Sequence, residues 1–188
     1  MGVAFAVVLS AAFGAGDQYL GSLQAHPWAA DVSLLSAPWL AVGFVAGATQ
    51  RDARRAALLG LACTFAAILG YFLMTDSPLE NAHYSLAGAR GFVISDPALI
   101  VGGVVTGPLF GWLGQRWRTR RTLLPALVLA AALCLEPFVR RADLGSVRTF
   151  GRSYLLTSPI GSHGVVLAEI VAGLLFAAVA LAVRRSSA

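Results

Sequence analysis

The chain has 188 residues, 57% of them hydrophobic and 12% charged, where a soluble domain carries about 25% charged residues. That balance excludes an ordinary soluble enzyme or binding domain. The formal net charge is +5, and all of the positive charge is arginine, which clusters at the ends of apolar runs, so lipid headgroups account for it and no nucleic-acid partner is expected.

Apolar runs place six spans at roughly 3–22, 28–49, 56–74, 97–114, 122–139 and 164–183. The expected fold is all-α, a single polytopic membrane domain over residues 1–188 built as a bundle of about six transmembrane helices. The first run has no basic leader and reads as a retained helix. The second is interrupted at Ser36-Ala37-Pro38-Trp39. Pro38 removes a backbone donor and predicts a broken span, with Ser36 as N-cap of the restarted half. Broken backbone at membrane depth is tolerated where it lines a cavity, which predicts a pocket beside Asp31, Ser33 and Trp39. Gly43 with Gly47, and Gly103 with Gly107, have the spacing that lets helix backbones approach in lipid. Cys63 and Cys134 fall inside spans and read as packing residues.

Orientation follows from arginine bias. Arg51, Arg54, Arg55, Arg116, Arg118, Arg120, Arg121, Arg184 and Arg185 share one side, against five on the other: Arg90, Arg140, Arg141, Arg148 and Arg152. The richer side is expected to be cytoplasmic, which places the protein in the cell membrane with both termini inside. Two long loops, 75–95 and 142–162, are then external, as are all three histidines and every acid except Asp52. Loops of that length over a compact bundle usually serve a site, so the site is expected at the outer end.

Acids within spans are costly and are functional candidates by default. Asp17 follows three small residues, Gly14-Ala15-Gly16, that allow another helix or a ligand to come close. Asp31 precedes the break, and Glu169 sits two turns into the last span among apolar neighbours. For these three no basic neighbour is visible in the sequence. Glu136 has Arg140 one turn later, so a salt bridge competes with a catalytic role. Asp96, between Ser95 and Pro97, has the pattern of a helix cap and is also a candidate binding residue. Tyr19, Trp28, Trp39, Tyr71 and Tyr84 lie at similar depth, and with Ser33 beside the break and His83 on the outer side they complete the candidate binding set.

There is no DDxxD or DxDD carboxylate cluster, P-loop, GxSxG or HExxH, and the three histidines are scattered. Neither a metal nor a cofactor is therefore expected.

The run Gly14-Ala15-Gly16-Asp17-Gln18-Tyr19-Leu20-Gly21, followed by Ser36-Ala37-Pro38-Trp39-Leu40 with Phe44 and Gly47, resembles small actinobacterial six-helix membrane proteins. Among these are the bacterial membrane-integral terpene cyclases of the drimentine type. The resemblance covers most of the first five spans and carries no catalytic residue over by position. It implies cyclisation of a lipophilic isoprenoid chain. Proton-initiated, metal-independent chemistry of that kind needs a carboxylic acid kept neutral by apolar surroundings, and aromatic faces for the cations. A lipophilic substrate would enter from the membrane lipid. The same architecture also fits a second class, the substrate-capture subunit of an energy-coupling-type vitamin importer. In that class Ala11 and Ala15 would offer a docking face to a protein partner.

Overall fold

The computed structural model of the protein describes residues 2–23, 25–95, 97–141, 146–149, 152–155 and 160–185. In chain order the elements are α1 (Val3–Ser22), α2 (Pro27–Ser33), α3 (Ala37–Ala48), α4 (Ala53–Thr75), α5 (Leu86–Ser95), α6 (Pro97–Arg120), α7 (Leu123–Arg141), a hairpin of β1 (Ser146–Thr149) and β2 (Arg152–Leu155), and α8 (His163–Arg185). The chain is an all-α polytopic membrane protein. α1, α4, α7 and α8 are each long and apolar enough to cross a bilayer. The bent pairs α2–α3 and α5–α6 raise the number of spans to six if each pair is one span. Large apolar side chains such as Leu58, Leu69, Leu174 and Leu175 point outward, as a lipid-facing surface requires.

The second span breaks where the sequence reading puts the break, and its two halves meet at 49°. Pro38 sits in the first turn of α3, where its missing N–H is an orphan in any case. The capping differs from the expectation. Ser36 holds the N-cap position, but its hydroxyl caps nothing. The Glu136 carboxylate on α7 accepts the Ser36 and Ala37 backbone N–H groups instead, at 2.6 and 2.7 Å. A carboxylate offers two oxygens to the positive end of α3, which one hydroxyl cannot match.

Both long connections carry regular structure among their described residues. Pro78–Glu80 forms a 3-10 turn, and α5 fills residues that the sequence reading leaves irregular. The Ser85 hydroxyl accepts the Gly88 N–H at the head of α5, and Phe92 packs against Phe72 with ring centroids 5.2 Å apart. Within 142–162, β1 and β2 pair antiparallel from Ser146↔Leu155 to Thr149↔Arg152.

Backbone-to-backbone packing holds the bundle together. A Cβ on Gly47 would overlap the Gly111 carbonyl, and one on Gly60 would overlap the Gly107 carbonyl. The α6 ridge of Gly103, Gly107 and Gly111 therefore serves two neighbours, α3 on one flank and α4 on the other. A Cβ on Gly14 would overlap the Ala67 carbonyl, and one on Gly70 the Ala11 carbonyl, which seats α1 on α4. Ala11 is thus spent on packing inside the chain. Close approach of this kind gives dispersion contacts, the main attraction left between helices when both sides of the choice are apolar.

The arginine-rich end is fastened by polar side chains. Arg118 Nη1 donates to the Ala48 carbonyl at 2.9 Å, Gln115 Nε2 to the Arg51 carbonyl at 2.8 Å, and Asp52 caps α4 by accepting the Arg55 N–H at 2.8 Å. The opposite end carries the α2–α3 break, α5 and the hairpin.

Candidate functional site

A cavity of about 380 Å³ opens between α1, α4, α6 and the break, within the range of about 300–1,000 Å³ usual for small-molecule sites. Among the described residues Asp17 of α1 is the one carboxyl in its wall, and Asp17 is itself buried. Ser33, Ser36, Trp39 and Leu40 contribute the broken span, Thr64, Ile68 and Tyr71 come from α4, and Leu99, Gly102, Gly103 and Thr106 from α6. Two of the wall's hydroxyl groups are already spent on the helices. The Ser33 hydroxyl donates to the Ala30 carbonyl at 2.9 Å and the Thr106 hydroxyl to the Gly102 carbonyl at 2.8 Å. With those protons turned back onto the helices, the interior suits an apolar occupant.

Aromatic rings form a chain across the wall. Phe13 of α1 meets Trp39 edge-on at 5.4 Å, Trp39 meets Tyr71 at 6.1 Å, and Tyr71 meets Phe92 of α5 at 6.2 Å. Trp39 and Asp17 stand together in this wall. The break creates this arrangement, because Trp39 lies in the first turn of α3 and takes its direction from the new helix axis. Gly103 leaves the space: a Cβ there would press on Ile68 Cδ1 at 2.8 Å.

A second cluster lies behind the break. Arg140 pairs with Glu136 at 2.8 Å, each side chain only 11% exposed. It also donates to Ser36 Oγ at 3.0 Å and to the Leu34 carbonyl. Glu169 of α8 is 4% exposed, and among the described residues neither of its oxygens accepts a hydrogen bond. Its charged neighbours are Glu136 and Arg140.

The structure thus brings together Asp17, Ser33, Trp39 and Tyr71 of the sequence candidates in one cavity, and Glu136 with Glu169 in a neighbouring cluster. It places the others elsewhere. Asp31 has partners that the sequence does not reveal: it accepts the backbone N–H groups of Gly161 and Ser162, at 3.2 and 2.6 Å, and so caps α8. Tyr19 and Trp28 are half-exposed, with Trp28 beside the His26 ring at 6.2 Å. His83 and Tyr84 are exposed before α5, and Asp96 lies outside the described residues. Phe13, Phe92, Thr64 and Thr106 were not singled out from the sequence. Of these, only Phe13 carried a signal, one helical turn before Asp17 and hence on the same face of α1. Among the described residues no group of three or more His, Cys, Asp or Glu side chains is placed to hold a metal ion.

No protein-family model matches this chain, and neither does any curated protein or solved structure.

Proposed function

We propose that the protein is a membrane-embedded cyclase of a lipophilic isoprenoid chain, with Asp17 as the general acid. The observation that carries this reading is the cavity itself: one buried carboxyl, set against the Trp39 and Tyr71 rings, in a wall whose hydroxyl protons at Ser33 and Thr106 are turned away. In its acid form Asp17 adds its proton to a terminal alkene carbon, which leaves a tertiary carbocation. The π electrons of the next alkene close the ring by forming a carbon–carbon bond. The ring cation then loses a proton to water, and a proton from water restores the Asp17 acid. Substrate and product are isomers, and neither a metal nor a cofactor enters the balance. The faces of Trp39 and Tyr71 stabilise the passing cations.

The test uses purified protein in lipid nanodiscs, an acyclic isoprenoid alcohol and heavy-water buffer. A cyclic isomer carrying one solvent-derived deuterium is expected. No cyclic isomer from isoprenoid alcohols of different lengths, together with tight binding of a water-soluble vitamin, would replace this reading with the capture-subunit one.

In this proposal the end that carries the break and α5 faces outward, because nine of the fourteen arginines lie at the other end. Leu79, 76% exposed on the 3-10 turn, and Thr119, in the last turn of α6, are the reporters. With Cys63 and Cys134 replaced by alanine, Leu79→Cys is expected to react in intact cells with a thiol reagent that cannot cross the membrane. Thr119→Cys is expected to react only after lysis. The reverse pattern would invert the orientation.

A further inference from the structure

We infer that Glu169 and Glu136 form one proton-binding site inside the bundle, and that the proton held there latches the α2–α3 break. The inference is independent of what the Asp17 cavity binds.

Glu136 is committed to its ionised form by its donors. It accepts the Ser36 and Ala37 N–H groups and pairs with Arg140. Each of these contacts needs an acceptor, so Glu136 has no use for a proton of its own. Glu169 is the opposite case, a buried side chain whose oxygens accept no hydrogen bond among the described residues and which has Glu136 as its neighbour. Two carboxyl groups side by side are compatible when one donates an O–H to the other. Since Glu136 is held as the acceptor, Glu169 is the donor. A metal cation fits the place poorly. The Arg140 guanidinium already fills the cationic position against Glu136, Ser36 Oγ and the Leu34 carbonyl, while hard cations take six or more oxygens.

Of the other charged groups on α8, Arg184 and Arg185 stand in its last turn, at the far end from Glu169. Asp31 of α2 is held by Gly161 and Ser162, and His163 is exposed at the head of α8. Glu136 and Arg140 are therefore the groups that feel the Glu169 proton. Loss of that proton to water leaves two carboxylates competing for one guanidinium. Arg140 is then drawn off Ser36 and the Leu34 carbonyl, and the break loosens. Ser36 also borders the Asp17 cavity and a second cavity of about 390 Å³ on the α7 side, so both change shape together.

Infrared difference spectroscopy on the full chain in nanodiscs reads the proton directly. The wild type at neutral pH is expected to show the carbonyl band of a protonated, unhydrated carboxylic acid that Glu169→Gln removes. Asp17→Asn, serving as reference, is expected to leave that component in place. Hydrogen exchange over residues 34–40 reads the latch. After correction for the intrinsic rate, protection in the wild type is expected to fall about tenfold or more as alkaline pH removes the band. In Glu169→Gln it is expected to stay flat, because the amide still donates to Glu136. Glu169→Met carries the same spectroscopic test should the glutamine variant fail to accumulate. An unchanged band in the Gln or Met variant, or the same pH-dependent loss of protection in Glu169→Gln as in the wild type, overturns the inference.

Discussion

Asp17→Asn is expected to lower the rate of isoprenoid cyclisation by about 100-fold or more while leaving the melting temperature close to that of the wild type, since removing a true general acid costs about that factor. The amide keeps the volume of the side chain and its capacity to accept a hydrogen bond, so the cavity wall is preserved. What it loses is the transferable proton. Two comparisons separate chemistry from packing. Tyr19→Phe changes a half-exposed residue two positions along α1 and is expected to leave the rate within about twofold. Asp31→Asn touches the cap of α8 and is expected to cost about 1 kcal/mol of stability with little change in rate. Wild-type turnover by Asp17→Asn would remove the residue from the chemistry. A loss of rate matched by a loss of folded protein would assign it to packing.

Much of the fold was legible because the bilayer restricts the choices. Hydropathy locates a span whatever its neighbours, and Pro38 announces a break because a proline cannot extend the backbone ladder. The glycine spacings were legible for the same kind of reason: Gly43, Gly47 and Gly107 sit at backbone crossings, while Gly103 makes room for the Ile68 and Thr64 side chains. The direction of side chains was not legible. Hydropathy gives depth, while helices that are apolar all round carry little period to say which face turns inward. Asp17 and Tyr19 lie at one depth and on different flanks of α1, and only the first reaches the cavity. Trp28 and Trp39 likewise share a depth, but the 49° bend between α2 and α3 sends them to different surroundings. The capping of the break was invisible for a further reason. Ser36 accounts for the N-cap position locally, whereas the group that satisfies the helix is Glu136, a hundred residues away in sequence. The Glu136–Arg140 spacing announces an ion pair, but nothing local shows that the pair grips another helix.

Glu136→Ala is expected to be the most damaging single substitution among the acids, at about 3–5 kcal/mol, the usual cost of removing one partner from a buried ion pair. Each side chain of the pair is only 11% exposed, so solvent screening gives little relief. Three groups lose their acceptor at once: the Ser36 and Ala37 amides at the head of α3, and the Arg140 guanidinium. Arg140→Ala is expected to cost less, because Glu136 keeps both amides while Ser36 Oγ and the Leu34 carbonyl lose a donor. The double variant tests the account. With Arg140 gone, deleting Glu136 no longer strands a buried cation, so the double variant is expected to be more stable than the sum of the single losses by about 0.5–3 kcal/mol. Thermal unfolding in one detergent, followed by helical circular dichroism with Trp fluorescence recorded alongside, gives all four corners of the cycle. Strict additivity would show that the pair is solvated and contributes only through its separate contacts. A Glu136→Ala variant that melts with the wild type would mean that the α2–α3 break is stable without its cap.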